Sequence, residues 1–291
     1  KIQLDSSGIN ILYGCGAALS NIDAPVIYVE VPKNEIQYRS RSGSICNMGS
    51  SRFSNPKDQY KRFYFVDWPA LNRHKKRILN DISVIVDEQR IDEITWMAGR
   101  DFRKGLDLMT RNMLRARPWF SPGVWGGDWI KNNIKGLSKD VPNYAWSFEL
   151  IVPENGIIME SSRTLLEVSF DFLQYRNNQA VLGKSSDLFG DEFPIRFNFL
   201  DTINGGNLSL QCHPSETYIH EHFGENFTQN ETYYILDCNE GAKVYLGFQD
   251  GVDKDQFRED LETSYEQNVS VEVEKYVQTF PSSKHDFFLI P

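Results

Sequence analysis

The sequence contains no uninterrupted run of about 18 apolar residues, the length a membrane-spanning helix needs, and its four cysteines, Cys15, Cys46, Cys212 and Cys238, form no Cys-x-x-Cys pair. The first absence leaves no helix to cross a bilayer. The second argues against a disulfide framework and favours a reducing, cytoplasmic setting. Basic residues are outnumbered, with 31 Lys and Arg against 40 Asp and Glu for a net charge of −9. That balance argues against nucleic acid or an anionic membrane as the main partner, since such surfaces select clustered cations, although a local basic phosphate pocket stays compatible with it. No internal repeat of solenoid period and no low-complexity tract is present. The chain opens on Lys1 without a charged-then-apolar leader and stops on a strand-like stretch at Pro291, so both ends read as cut.

What is present suffices for a real core. A chain of 291 residues buries roughly three quarters of its unfolded surface, and its length accommodates two domains. Short, largely apolar, β-rich runs occur at Ile9–Gly14, Pro25–Val31, Arg62–Trp68 and Ile82–Glu88, as in the buried strands of an α/β unit. Between the last two, Ala70–Asn80 has a helix-favouring composition with Pro69 as a first-turn residue. Phe102, Leu106, Met109 and Met113 recur on one helical face, and the opposite face carries Arg103, Lys104, Arg111 and Arg115, read as solvated charge. Gly14-Cys15-Gly16 lies after an expected strand but lacks a third glycine, which makes it an incomplete phosphate-binding motif. Asp67 and Asp87 fall near the carboxyl ends of expected strands, where α/β sheets place ligand-facing residues, and are read as turn or cap residues. Arg39–Asn55, rich in Ser, Gly and Asn, reads as a loop.

Two prolines and a glycine in the stretch 117–123 mark a connection, and the domain boundary is placed there: an α/β domain over 1–117 and a second domain over 118–291. In the second, Tyr144–Val152 alternates cleanly, with Tyr144, Trp146, Phe148, Leu150 and Val152 on one face and Ala145, Ser147, Glu149 and Ile151 on the other. Leu165–Phe170 and Ile195–Leu200 continue as strands, separated by turns at Pro153–Gly156 and Asn204–Gly206. Many short strands at this spacing predict a β-barrel or sandwich. Asp253 with Gln256 forms a capping box ahead of an apolar stripe of Phe257, Leu261 and Tyr265, read as core packing. Lys284–Pro291 reads as a final strand.

Asn207–Cys238 holds the one closely spaced set of metal-competent side chains. If Asn207–His213 is a strand, Ser209, Gln211 and His213 share a face; in Glu231–Cys238, Glu231, Tyr233, Ile235 and Asp237 share another. If both strands line one wall, Gln211, His213 and Glu231 converge, and an amide, an imidazole and a carboxylate suit a borderline divalent ion such as zinc. Ser215 caps an expected short helix over Glu216–Phe223, whose His220 and His222 lie two apart and are read as surface or packing residues.

The wording of this region resembles the type I mannose-6-phosphate isomerases, zinc enzymes of the cupin superfamily. The shared features are the Ser-x-Gln-x-His-Pro stretch ending at Pro214, the Glu-x-x-Tyr-Ile stretch from Glu231, the Gly-Ala-x-x-Tyr-x-Gly hairpin from Gly241 and the Trp-Gly-Gly at Trp125. The resemblance runs from roughly Trp119 to Pro291. It implies an α+β multidomain chain in which an α/β unit precedes a cupin-type jelly-roll barrel with short helices. It implies zinc as cofactor, held by Gln211, His213 and Glu231 with a fourth protein ligand beyond Pro291, and Ser209 as a substrate contact. The implied reaction interconverts mannose 6-phosphate and fructose 6-phosphate through an enediol, so the expected partner is a sugar phosphate. The catalytic residues and the oligomeric state stay unassigned, as does the role of residues 1–117. One departure matters: Gln229 stands where the family usually has Lys, and a lost cation weakens the hold on a phosphate or developing anion. Two other readings stay open, a non-catalytic sugar-phosphate-binding cupin, and an α/β phosphotransferase-like module with the cupin as accessory.

Overall fold

The structure, a computed structural model, describes residues 3–114 and 116–290. Arg115 on the expected polar helix face and Pro291 at the end of the last expected strand lie outside them. In chain order the first elements are β1 (Val26–Glu30), α1 (Lys33–Arg41), α2 (Pro56–Arg62), α3 (Trp68–Ile78), β2 (Ile82–Asp87), β3 (Thr95–Ala98) and α4 (Gly99–Met109). Then follow β4 (Phe120–Ser121), α5 (Trp129–Asn133), β5 (Trp146–Ile151), β6 (Gly156–Ser161), β7 (Thr164–Ser169), α6 (Asp171–Leu182), α7 (Ser186–Phe189) and β8 (Arg196–Leu200). The rest is α8 (Glu216–Phe223), β9 (Glu231–Tyr234), β10 (Lys243–Phe248), α9 (Lys254–Gln267), β11 (Val277–Pro281) and β12 (Phe287–Ile290). No helix among the described residues is long and apolar enough to cross a membrane.

Packing groups the residues differently from a single break after Arg117. One compact unit comprises Lys1–Gly123 with Tyr144–Leu200, the other Val124–Asn143 with Asp201–Pro291. In the first unit β1 and β2 run parallel and β3 joins β2 antiparallel. The apolar runs around Pro25 and Ile82 are therefore the strands their composition predicts. On α4, Phe102 and Leu106 are fully buried, whereas Met113 lies past the helix end and is exposed. Arg103 is not purely solvated, because its Nη1 donates to the carbonyls of Leu79 (3.3 Å) and Ile82 (2.8 Å). Ile85, Phe102 and Leu106 share one core with Ile157, Val168, Phe172 and Leu173 of β6, β7 and α6. Burying such a side chain contributes about 1.5–3 kcal/mol, so this shared core joins sequence on both sides of residue 117.

Two strands expected in the first unit are absent. Ile9–Gly14 has no ladder, and Ile9, Ile11 and Tyr13 are exposed. Arg62–Trp68 is helical: the Asn55 side chain caps α2 at the Asp58 amide, Pro56 opens the helix, and a π-helical turn over Phe63–Asp67 carries it into α3. Aromatic residues favour strands only as a weak prior, and stacking of Phe63 on Trp68 inside the unit overrides it. Asp67 thus sits in a helix, where its Oδ2 accepts from Asn47 Nδ2 (3.0 Å) and Met48 N (3.1 Å). Gly14 and Gly16 precede a single 3-10 turn, Ala17–Ser20, which lacks the helix a phosphate-binding loop requires.

At the carboxyl ends of the parallel strands, Glu30 and Asp87 are register partners and both are buried. Asp87 Oδ1 accepts from Gln89 N, the turn role its position predicts, while Oδ2 accepts from Glu167 N, each at 2.8 Å. Glu30 Oε1 accepts from Ser169 N (3.1 Å) and from Lys75 Nζ (3.1 Å). Beside them Lys33 Nζ pairs with Asp171 Oδ2 at 2.5 Å, and burial pulls the Lys33 ammonium below its ordinary range against that attraction. Side-chain carboxylates thereby dock β7 across the strand ends.

The strand β5 forms with β4 and β8, but its polar face is the inner one. Ser147 and Glu149 are buried while Phe148 between them is exposed at φ 50°. Burial first, then the charge of Glu154, push the Glu149 carboxyl up to about 8, with Arg41 opposing. In the second unit β9 pairs with β12 and β10 with β11, both antiparallel. Sheets among the described residues hold two or three strands, so the expected jelly-roll barrel is not closed.

The buried hairpin makes a pH prediction. Burial first, against the attraction of Arg117, raises the Glu167 carboxyl from 4.5 to about 7. The folded protein therefore keeps a proton the unfolded chain releases, and the stability tied to it is lost as pH rises from about 4.5 to about 7. The full effect is roughly 3 kcal/mol. Glu167→Gln is expected to gain on the parent in urea unfolding between pH 5 and pH 8; a constant difference across that range contradicts the assignment.

Candidate functional site

Asp201, buried in the second unit, ties together the segments that lead into the candidate site. Its Oδ2 accepts from Ile130 N (2.7 Å) at the start of α5, and its Oδ1 from Ile203 N (3.1 Å). Its backbone carbonyl accepts from Gly127 N (2.6 Å), Asp128 N donates to Ile203 O (3.0 Å), and Gly206 N donates to Trp125 O (2.9 Å). Trp125-Gly126-Gly127 thus lies flat against residues 201–206. The contact leaves no room for a side chain, since a Cβ at Gly127 would stand 2.4 Å from Asp201 Oδ1 and from Ile203 O.

From that clamp Asn207–His213 runs on outside any helix or sheet, so the expected strand is not formed. A strand needs a neighbour for its N–H and C=O groups, and among the described residues β9 takes β12 instead. Ser209 and Gln211 do lie together, with Gln211 Nε2 donating to Ser209 Oγ at 3.5 Å, and both are exposed. Leu208 and Leu210 line an open cavity of about 460 Å³ with Asn207, Tyr245, Val273 and Glu274. That cavity is not lined by Gln211, His213 or Glu231.

After Pro214 the chain forms α8 as its composition predicts, capped by Ser215 Oγ on Tyr218 N at 3.3 Å. His220 and His222 are exposed, and His222 stacks on Tyr218 with ring centroids 4.0 Å apart. The Thr228 hydroxyl donates to the Pro214 carbonyl, which folds the following loop back toward His213 and delivers Glu231. On β9, Glu231 and Tyr233 are half-buried and Thr232 and Tyr234 exposed, the alternation the sequence predicts. Burial first and the Glu231 charge second push the Tyr233 hydroxyl up to about 12. Further on, Asp253 caps α9 at the Asp255 and Gln256 amides. Only the first residue of its apolar stripe packs closely: Phe257 lies 4.5 Å from the Tyr276 ring, while Leu261 and Tyr265 are exposed.

These elements bring His213 and Glu231 together, with Nε2 and Oε2 3.6 Å apart and side chains 19% and 27% exposed. An imidazole and a carboxylate at that distance, half-open to water, can share a divalent ion or a proton. Among the described residues no group of three or more His, Cys, Asp and Glu side chains is gathered for a metal. Gln211, exposed, has its described hydrogen bond to Ser209 and none to His213 or Glu231, and Gln229, exposed, lies two residues ahead of Glu231. Tyr233 and Thr228 were not singled out from sequence. Tyr233 was legible by its shared face with Glu231, whereas nothing local signals the Thr228 contact.

A family described as a domain of unknown function (DUF8485) matches residues 1–111. The chain is similar to mannose-6-phosphate isomerase ManA of Bacillus subtilis (strain 168), 27% identical over 188 residues, which are 63% of this chain and 53% of that protein. It is also similar to a mannose-6-phosphate isomerase of Streptococcus mutans serotype c, 24% identical over 170 residues, 58% of this chain and 48% of that protein. A crystal structure of the Bacillus subtilis mannose 6-phosphate isomerase aligns at 19% identity and a TM-score of 0.41, covering 61% of this chain and 52% of that one. The chain spans about half the length of these relatives.

The clamp is testable by itself. Gly127→Ala is expected to cost about 1–3 kcal/mol, because both neighbouring oxygens belong to a tied segment that cannot yield freely. Equilibrium urea unfolding measures it, and a change within about 0.5 kcal/mol, ordinary for a surface site, contradicts the close approach.

Proposed function

We propose that the chain belongs to a zinc-dependent isomerase that interconverts mannose 6-phosphate and fructose 6-phosphate through an enediol. In this reading Gln211, His213 and Glu231 are metal ligands and Ser209 contacts the substrate. The observation that carries it is the 3.6 Å approach of His213 to Glu231 in a chain whose relatives are mannose-6-phosphate isomerases. The donor set of imidazole, carboxylate and amide suits a borderline divalent ion, and partial exposure leaves a position for water or sugar. Gln211 donates to Ser209 through its nitrogen, and a metal takes the amide oxygen. A fourth protein ligand is expected beyond Pro291.

When bound, the divalent ion supplies Lewis acidity to the sugar carbonyl and a positive charge for the developing enediolate. The protein's part is to hold the sugar so that the proton on one of C1 and C2 faces a base. Ser209, beside Gln211, offers a hydroxyl to a sugar oxygen. Glu231, with Tyr233 on the same half-buried face, stays fixed by the β9–β12 ladder, so the ligand geometry does not depend on a loop alone. The base is not assigned to any residue of this chain.

A second reading, a non-catalytic sugar-phosphate-binding protein, is favoured by Gln229 in place of the usual Lys. The two separate in a protein extended past Pro291 through the expected fourth ligand. Zinc content by elemental analysis and conversion of mannose 6-phosphate to fructose 6-phosphate are measured together. One zinc per chain with turnover is expected; full zinc without turnover overturns catalysis. His213→Ala is expected to abolish zinc uptake, and undiminished zinc there overturns the ligand assignment.

A further inference from the structure

The three-stranded sheet of the first unit has two apolar faces, and only one of them is covered. In the register of β1, β2 and β3 one face carries Tyr28, Ile85 and Met97, which sit in or against the core that Phe102 and Leu106 of α4 complete. The same register sets the opposite face in two rows, Ile27 with Val84 and Ala98, then Val29 with Val86 and Trp96. Every residue in both rows is apolar. The charged residues of these strands, Glu30 and Asp87, are buried on the covered side. Yet Ile27 is 64%, Val29 51% and Trp96 64% exposed, and Val84, Val86 and Ala98 are only partly buried.

A sheet face meant for water alternates apolar with polar residues, whereas a parallel pair covered on both sides reads as a continuous apolar run. β1 and β2 are of the second kind, and the exposures show that no described residue supplies the second layer. A contiguous bare patch of this sort marks an interaction surface. The free edge of β1 is not its point of attachment, because Pro25 precedes the strand and Pro32 follows it, and proline blunts an edge by lacking an N–H. Contact therefore runs through the face. An uncharged face is complementary to itself under a two-fold axis, and it lets two copies of a chain of net charge −9 meet without bringing like charges together at the contact. Burying the exposed parts of the two rows removes on the order of 500 Å² per copy from water, so a face-to-face pair reaches the ~1,000 Å² that a specific interface needs.

We propose that this face of β1, β2 and β3 binds a second copy of the chain, the two sheets packing face to face about a two-fold axis. The layers then stand about 10 Å apart, the ordinary spacing of packed sheets. Trp96, large and exposed on the outer strand of each sheet, is the anchor of the contact.

The test is sedimentation velocity of the full chain over a dilution series from about 100 to about 1 µM, the range in which an interface of this size dissociates measurably. A dimer that dissociates on dilution is expected. Val29→Lys is expected to raise the dissociation constant roughly 100-fold, because the symmetry places two unpaired charges in one interface. Trp96→Gln is expected to raise it about 10-fold through loss of the anchor, and it supplies the readout if the lysine variant fails to fold by circular dichroism. Tyr265→Lys, the same change of charge at an exposed position of α9, is expected to leave the dimer as it is. A monomer at the highest concentration overturns the proposal, and so does assembly beyond the dimer. An unchanged dissociation constant in either folded face variant overturns it too, as does an equal loss of the dimer in Tyr265→Lys.

Discussion

The first unit depends on two buried carboxylates, Glu30 and Asp87, which sit side by side at the ends of parallel strands and accept the main-chain amides of Ser169 and Glu167. Each replaces a backbone carbonyl that no neighbouring strand supplies. Lys75 compensates the charge of Glu30, and Lys33 compensates that of Asp171 at the head of α6. Breaking a buried pair from one side typically costs about 3–5 kcal/mol. Residues 26–98 and 146–182 therefore stand or fall together. The region matched by the domain of unknown function ends at 111, but its sheet is completed through side chains of β7 and its core through β6 and α6.

Local chemistry was legible where it suffices to build an element. The β-branched runs of β1 and β2, the Phe102 and Leu106 face of α4, and the caps Ser215 and Asp253 all read correctly from sequence. What failed were elements that depend on a distant partner. Ile9–Gly14 and Asn207–His213 look like strands by composition, but no ladder reaches them. Arg62–Trp68 looks like a strand until Asn55 and Pro56 start a helix ahead of it. The alternation of β5 was legible, but not which face turns inward, because the inversion goes with a positive φ at Phe148 and a register shift against β8 between Ser147 and Leu150.

The candidate site shows the same division. Glu231 and Tyr233 lie on one half-buried face, as period-two alternation requires. The approach of His213 comes from a loop closure at Thr228 and a clamp of Trp125-Gly126-Gly127 on residues 201–206, neither visible as a local pattern. The clamp also ties a Trp-Gly-Gly stretch far upstream to the segment that leads into Asn207–His213: glycine alone lets the two backbones approach.

The central claim is that the metal-binding capacity of the second unit resides in Gln211, His213 and Glu231, rather than in the cysteines that flank them, Cys212 and Cys238. Zinc K-edge X-ray absorption on the zinc-loaded protein addresses this directly. The account predicts a first shell of nitrogen and oxygen at about 2.0–2.2 Å, with imidazole scattering and no sulfur. A sulfur shell at about 2.3 Å would contradict it.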